Sequence, residues 1–424
     1  MYSKSYKFRA KTIRSLARYF RFKKIDYCLL GNPKNIPLKI KTDVDLFINY
    51  KSEKNLLSIL LDFTSKNNLK ILNIFKHEYN SFTYILSNKN NNYYISLDIC
   101  DDYVINSKKV LSLKSINKIN LKKNNLSIKV LPKNLEFFYY FIKKVNKNDI
   151  DTESFKYLSK IFKSVNHSEF TKFFNDEDYK LLSKIFNENF FNLFKKYRTY
   201  FLYNLIRKKK SNYLKNILRI INRLFLKTGF HIVFVGTDGS GKSTQINSLI
   251  NSNILNLFRG YEIFHLFNNY HEGNKKNVKP YLKKNYGIIL SFFKIIYLYV
   301  RFLKNYIFKI YPLLVRSNLV VSDRYYQDVF IDPKRYRIGF FYKAIEILYK
   351  LLPDPDLIIV MHSDIKSLKH RKNELNDIDI KVNNSKYIKF AKNNNKAYLV
   401  SSNKNINITS KKIIKLICLE KLLK

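Results

Sequence analysis

The sequence predicts an α/β fold: a doubly wound parallel sheet over residues 228–424, an α+β domain over 1–130, and a helical region over 131–227 between them. Three observations carry this. In the last block, short runs that are apolar throughout alternate with helical patterns, as in a parallel sheet covered on both faces. In the first block, strand-like runs bounded by turn residues surround one helical pattern. Between the two, apolar residues recur at helical spacing without strand-like alternation.

Taken in order, residues 26–30 and 43–48 read as strands, with Gly31-Asn32 turning after the first. Residues 53–65 place Leu56, Leu57, Leu60 and Leu61 on one helical face. Two more strands follow at 82–86 and 92–98, split by the turn-forming run 87–92. Helical spacing then recurs over 135–145, 155–162, 179–186 and 190–226, with a polar connection at 164–178. The last block opens with a strand at 231–235, a glycine-rich loop and a helix over 244–250. Beyond it come a strand at 261–267, a long helical region at 281–316, a strand at 319–322 and a helix at 340–352. A strand at 357–361, a helix at 365–375, a strand at 397–401 and a helix at 410–423 complete the chain. No internal repeat is visible.

At 424 residues the chain is long enough for two or three domains with proper cores. With 46% apolar and 16% aromatic residues, disorder is excluded. The net charge of +47, from 79 Lys and Arg against 32 Asp and Glu, favours anionic partners: nucleotides, nucleic acid or an anionic membrane surface. Lys is spread along the chain amid abundant Asn, Ile, Phe and Tyr, so most of this charge reads as compositional and solvated. Cys28, Cys100 and Cys418 lie far apart with no C-x-x-C, which implies neither a disulfide framework nor a zinc site and suits a reducing cytoplasm. Residues 1–11 are polar and basic, without the apolar core of a secretory signal. The most lipophilic stretch, 286–315, is interrupted by Lys294, Arg301, Lys304 and Lys309. It lacks the charge-free run of ~18 residues that a span needs. It reads as a buried or amphipathic helix, with a cationic helix resting on a bilayer as the alternative.

Gly236-Thr-Asp-Gly-Ser-Gly-Lys-Ser243 matches the phosphate-cradling pattern G-x-x-x-x-G-K-[ST] and sits between a strand and a helix. Three of the nine glycines in the chain, Gly236, Gly239 and Gly241, fall in this loop, where the backbone must approach a ligand closely. Main-chain N–H groups over Gly236, Asp238, Gly239, Ser240, Gly241, Lys242, Ser243 and Thr244 are expected to wrap the polyphosphate of ATP. Lys242 is expected to reach the outer phosphates and the Ser243 hydroxyl to bind Mg²⁺. Asp323 and Arg324 end a buried strand of the same expected sheet, so they should face the same crevice. A carboxylate there can help hold Mg²⁺, and an arginine can neutralise a phosphate in transfer. Arg371, in a basic run with Lys366, Lys369, His370 and Lys372, is the candidate lid arginine. Arg335 and Arg337, with Arg301 on the long helix, are candidates to grip an anionic acceptor.

Together these motifs resemble the thymidylate kinase family, over about residues 230–424. The loop through Thr244 and Gln245, Asp323-Arg-Tyr325, and Pro355-Asp-Leu357 before a strand and a basic helix carry the likeness. The resemblance implies a P-loop NTPase fold of nucleoside monophosphate kinase type, with Lys242 and Ser243 serving ATP and Mg²⁺. Asp323 and Arg324 would then lie at the reaction centre and Asp238 near the acceptor. The place of that family's Glu-Pro-Gly-Gly-Thr-like acceptor segment reads His265-Leu-Phe-Asn-Asn-Tyr-His-Glu-Gly273, and Asp328-Val-Phe-Ile-Asp332-Pro-Lys-Arg335-Tyr-Arg337 is not the usual continuation of the D-R-Y motif. The donor half is kept and the acceptor half rebuilt, which argues against dTMP as the acceptor.

In the first block, Asp43 and Asp45 alternate to one face of a strand and Asp98 sits on another. Three such acids suit two-metal nucleotidyl transfer. With Gly31 and the D-x-D strand, residues 20–105 resemble the nucleotidyltransferase superfamily that includes DNA polymerase beta, although Asn32 replaces the usual Gly or Ser.

The reading is thus a cytoplasmic ATP- and Mg²⁺-dependent kinase of a small anionic acceptor, fused to a nucleotidyltransferase-like domain, with a homodimer left open. Three alternatives stay open: a nucleic-acid end-processing kinase and nucleotidyltransferase, a non-catalytic ATP-binding switch, and consecutive steps on a sugar precursor.

Overall fold

A computed structural model describes residues 2–30, 43–112, 122–123, 128–207, 209–265, 284–364, 377–403 and 405–422. The chain divides into two compact units, Met1–Asn222 and Arg223–Lys424.

The first unit opens on α1 (Tyr2–Phe22), where the sequence suggested only a polar start. Its Ala10, Ile13, Leu16, Ala17 and Phe20 recur at helical spacing and are buried. The strands β1 (Tyr27–Leu29), β2 (Asp43–Ile48), β3 (Leu69–Glu78), β4 (Ser81–Asn88), β5 (Tyr94–Cys100), β8 (Lys122–Lys123) and β9 (Lys129–Val130) form one sheet in the order β3-β4-β5-β2-β1-β9-β8. β2 and β5 are parallel, as are β1 and β9; the other pairs are antiparallel. A separate hairpin joins β6 (Asp102–Ile105) to β7 (Lys108–Ser112). The expected helix at 53–65 is α2 (Glu53–Lys66), started by the Ser52 hydroxyl accepting from Asn55 N–H at 3.2 Å.

Helices α3 (Lys133–Lys147), α4 (Thr152–Phe162), α5 (His167–Phe170), α6 (Asp176–Asn187) and α7 (Phe191–Arg207) follow. Their Phe137, Phe141, Phe155, Phe194 and Phe201 share a core with Cys28, Phe47 and Cys100 of the sheet. The connection expected at 164–178 contains α5 and buries Phe170 and Phe174. The helical spacing read over 190–226 is carried by α7 and α8 (Tyr213–Phe225), and the division between the units falls inside α8.

In the second unit β10 (Phe230–Val235), β11 (Tyr261–His265), β12 (Leu319–Asp323), β13 (Leu357–His362) and β14 (Ala397–Ser401) form a five-stranded sheet in the order β11-β12-β10-β13-β14. Every pairing is parallel. All six residues of β10 are buried, as they must be in a central strand covered on both faces. α9 (Lys242–Ile250) leaves β10, and α10 (Ile288–Asn305) runs through a π-helical turn, Tyr306–Ile310, into α11 (Tyr311–Val315). α12 (Tyr326–Ile331), α13 (Tyr342–Leu351), α14 (Asp377–Lys392) and α15 (Ile406–Leu422) complete the unit. Val233, Val235, Val320, Ile358 and Val360 pack in one core with Ile295, Leu298 and Phe302 of α10. α9 and α15 pack on each other and against strands of the same sheet. This mixed α/β arrangement on an all-parallel sheet fits a P-loop NTPase-like fold. The helix expected at 365–375, with Arg371, lies outside the described residues, as do Gly31-Asn32 and most of the segment 265–273.

Candidate functional site

β10 lies between β12 and β13, so its carboxyl end opens where the strand order reverses. That crevice is where open parallel sheets bind ligands. The chain leaves it through Gly236, whose φ is 143°; a Cβ there would stand 2.2 Å from the Met361 carbonyl oxygen. No other residue fits that close pass against β13. Gly241, at φ 83°, turns the chain into α9, and Ser240 N–H closes the loop on the Thr237 carbonyl at 3.2 Å. The loop therefore hands its amides directly to a helix N-terminus, which favours anions.

Lys242 is the first residue of α9 and is buried. Its Nζ donates to the carbonyls of Gly236 (2.9 Å) and Thr237 (2.8 Å). Burial, with the positive charge of Arg324 beside it, lowers the ammonium to about 7. Ser243 and Thr244 are exposed in the first helical turn.

Asp323 ends β12 in register with Phe234 of β10, one strand from the loop. Its Oδ2 lies 3.4 Å from His265 Nδ1, while its Oδ1 is buried without a hydrogen-bond partner. A carboxylate oxygen left in that state beside a phosphate loop fits a hard cation such as Mg²⁺.

Arg324 follows at φ 71°, with its N–H on the Phe234 carbonyl at 2.9 Å. Its buried guanidinium bridges two acids: Nη2 to Asp238 Oδ1 at 2.6 Å, and Nη1 to Asp328 at 2.6 and 2.8 Å. Arg335 donates to the second oxygen of Asp238. Tyr336 and Tyr387 donate their hydroxyls to Asp328, which is fully buried on α12. Burial works to raise the Asp238 carboxyl, yet Arg324, Arg335 and Lys242 outweigh it and hold it below the usual carboxylate range. Asp328 is likewise lowered: burial opposes ionisation, and Arg324 overcomes it. Two arginines are thus fixed at the mouth of the loop before any substrate meets them, which is the preorganisation that charge-stabilising catalysis needs.

Not every expected acceptor residue joins this cluster. Arg337 is engaged by the Lys284 carbonyl (3.0 Å) and the Tyr286 hydroxyl (3.2 Å), and its guanidinium stacks 4.1 Å from the Tyr286 ring. Arg301 donates to the Tyr297 hydroxyl on α10 at 3.4 Å. Asp328, Tyr336 and Tyr387 were not singled out from sequence. The only signal available was Asp328 standing four residues after Arg324, although Arg324 itself precedes α12.

In the first unit, β2 and β5 pair in parallel with Asp45 opposite Asp98, and Asp43 lies two residues along the same face. Thr83 Oγ1 donates to Asp98 Oδ1 at 2.5 Å and is itself 2.5 Å from His77 Nε2. Burial, then the charge of Asp45, push the Asp98 carboxyl up to about 6. These are the three acids that the sequence reading assigns to a metal. Among the described residues no group of three His, Cys, Asp or Glu gathers closely enough to hold a metal ion. The Lys143 ammonium, from α3, is seated on Asp45 Oδ2 and largely buried with it. Burial alone would lower that ammonium, but Asp45 raises it and keeps it charged.

No protein-family model matches the chain, and no curated protein matches it. Among solved structures it is similar to the thymidylate kinase of Ehrlichia chaffeensis, at 21% identity and a TM-score of 0.32, over 45% of this chain and 98% of that one. It is also similar to the thymidylate kinase of Candida albicans, at 17% identity and a TM-score of 0.35, over 46% of this chain and 94% of that one.

Proposed function

We propose that the unit Arg223–Lys424 is an ATP- and Mg²⁺-dependent phosphotransferase of the nucleoside monophosphate kinase type, acting on a small anionic acceptor. One observation carries the reading. A glycine-turned loop at the end of the central strand presents helix-terminal amides and Lys242 beside the partnerless Asp323 oxygen. The loop amides and Lys242 hold the polyphosphate by charge and hydrogen bonding, with no protein nucleophile. Ser243 and Asp323 are the residues that would hold Mg²⁺, which when bound supplies charge neutralisation to the phosphates. Arg324 and Arg335 offer the acceptor a cationic seat whose geometry is set by Asp238 and Asp328. Arg371 remains the proposed lid arginine.

The test is an ATP-consumption screen of the full chain against nucleoside monophosphates, sugars and oligonucleotides. Lys242→Ala is expected to lower turnover of the accepted substrate by about 100- to 1,000-fold, with the fold kept. Turnover at the wild-type rate in that variant contradicts the assignment.

The nucleotidyltransferase-like reading of residues 1–130 rests on the D-x-D spacing and on the pairing of Asp45 with Asp98. In that pair the Lys143 ammonium is seated on Asp45.

A further inference from the structure

α10 is apolar on both sides. Ser291, Ile295, Leu298 and Phe302 are buried, at the spacing of one helical face. The opposite side is also apolar and faces outward: Ile289 is 72% exposed, Phe293 61%, and Phe308 in the following π turn 72%, with Leu290, Tyr297 and Val300 between them. The patch continues to Phe341, whose ring meets that of Phe292 at 6.0 Å. A contiguous exposed surface of this kind marks an interaction site rather than scattered surface residues.

The charges around it choose the partner. The described residues 284–322 contain six Lys and Arg and no Asp or Glu. Lys294 stands over the Tyr297 ring at 5.4 Å, and Lys304 and Lys309 are exposed. Two-fold pairing with a second copy would bring the same cations together with no acid in the stretch to receive them. An anionic bilayer offers the complement to both properties: hydrocarbon for the aromatic and aliphatic side chains, and headgroup charge for lysines whose stems can snorkel outward. No helix among the described residues is long and apolar enough to cross a membrane, so the helix would lie on the surface.

We propose that the outer face of α10 docks this protein on an anionic membrane surface. The proposal is independent of the phosphate loop. It is tested by floating the full chain with phosphatidylglycerol–phosphatidylcholine vesicles and with phosphatidylcholine alone, while light scattering reports its mass in solution. The wild-type chain is expected to float with the anionic vesicles and to lose most of that recovery on uncharged ones. The triple variant Ile289→Ser, Phe293→Ser, Phe308→Ser is expected to melt as wild type and to partition at least roughly tenfold less. Lys294→Gln with Lys304→Gln, which leaves the apolar face intact, is expected to weaken the preference for anionic vesicles. Absence of flotation, equal recovery on both vesicles, or flotation unchanged in the triple variant overturns the proposal. So does a dimer that the triple variant dissolves, which would assign the face to a second copy.

Discussion

Lys242 is buried beside Arg324, so its charged form is disfavoured and its value falls to about 7, although two of its donors reach carbonyls of its own loop. A polyphosphate on the loop reverses that balance by favouring the ammonium. ATP binding is therefore expected to take up a proton at pH above about 7, and affinity is expected to fall as pH rises through that value. Calorimetry in buffers of different ionisation heat reads this directly; proton release, or none, contradicts it. Asp98 behaves oppositely in sign. Its folded-state value is raised from 3.8 to about 6, so the cost of its buried charge is absent below 3.8, grows through that window and is complete above 6. Asp98→Asn is expected to raise the melting temperature well above pH 6 and to change little below 3.8. A gain confined to acid would refute the assignment.

At the scale of elements, α12 connects packing to chemistry. It is only six residues long, yet it carries Asp328 into the core under Arg324, where Tyr336 and Tyr387 complete its hydrogen bonds. Removing one member of a buried ionic cluster leaves the other charge uncompensated. Asp328→Asn is expected to cost about 3–5 kcal/mol in denaturant unfolding and to weaken acceptor binding, since Arg324 loses one of its two anchors. A change within error on both counts contradicts the role given to α12. Much of the second unit was legible in sequence because β10, β12 and β13 are apolar on both faces and the loop glycines mark positive φ. β3 was not legible: register shifts at Ile71/Asn73 and Lys76/Glu78 break the two-residue alternation that identifies a half-buried strand. α1 was hidden by its basic residues, although Ile13, Leu16 and Phe20 kept the helical period. Asp328 and Lys143 could not be distinguished from surface charges, because only tertiary packing places an acid under an arginine or a lysine on Asp45.

At the scale of the whole molecule, each unit has its own core, and the features proposed to bind phosphate all belong to Arg223–Lys424. The charge of +47 raises the affinity of the entire surface for anions, so binding alone does not locate a nucleotide. Location is what the account claims: the amides between β10 and α9 enclose the phosphates. Hydrogen exchange read by mass spectrometry, on the full chain with and without MgATP, tests this most directly. The account predicts slowed exchange in peptides covering residues 236–243 and the end of β12 at Asp323, with no change across β2 and β5. Unaltered exchange in the loop at saturating nucleotide, or protection confined to Met1–Asn222, would contradict it.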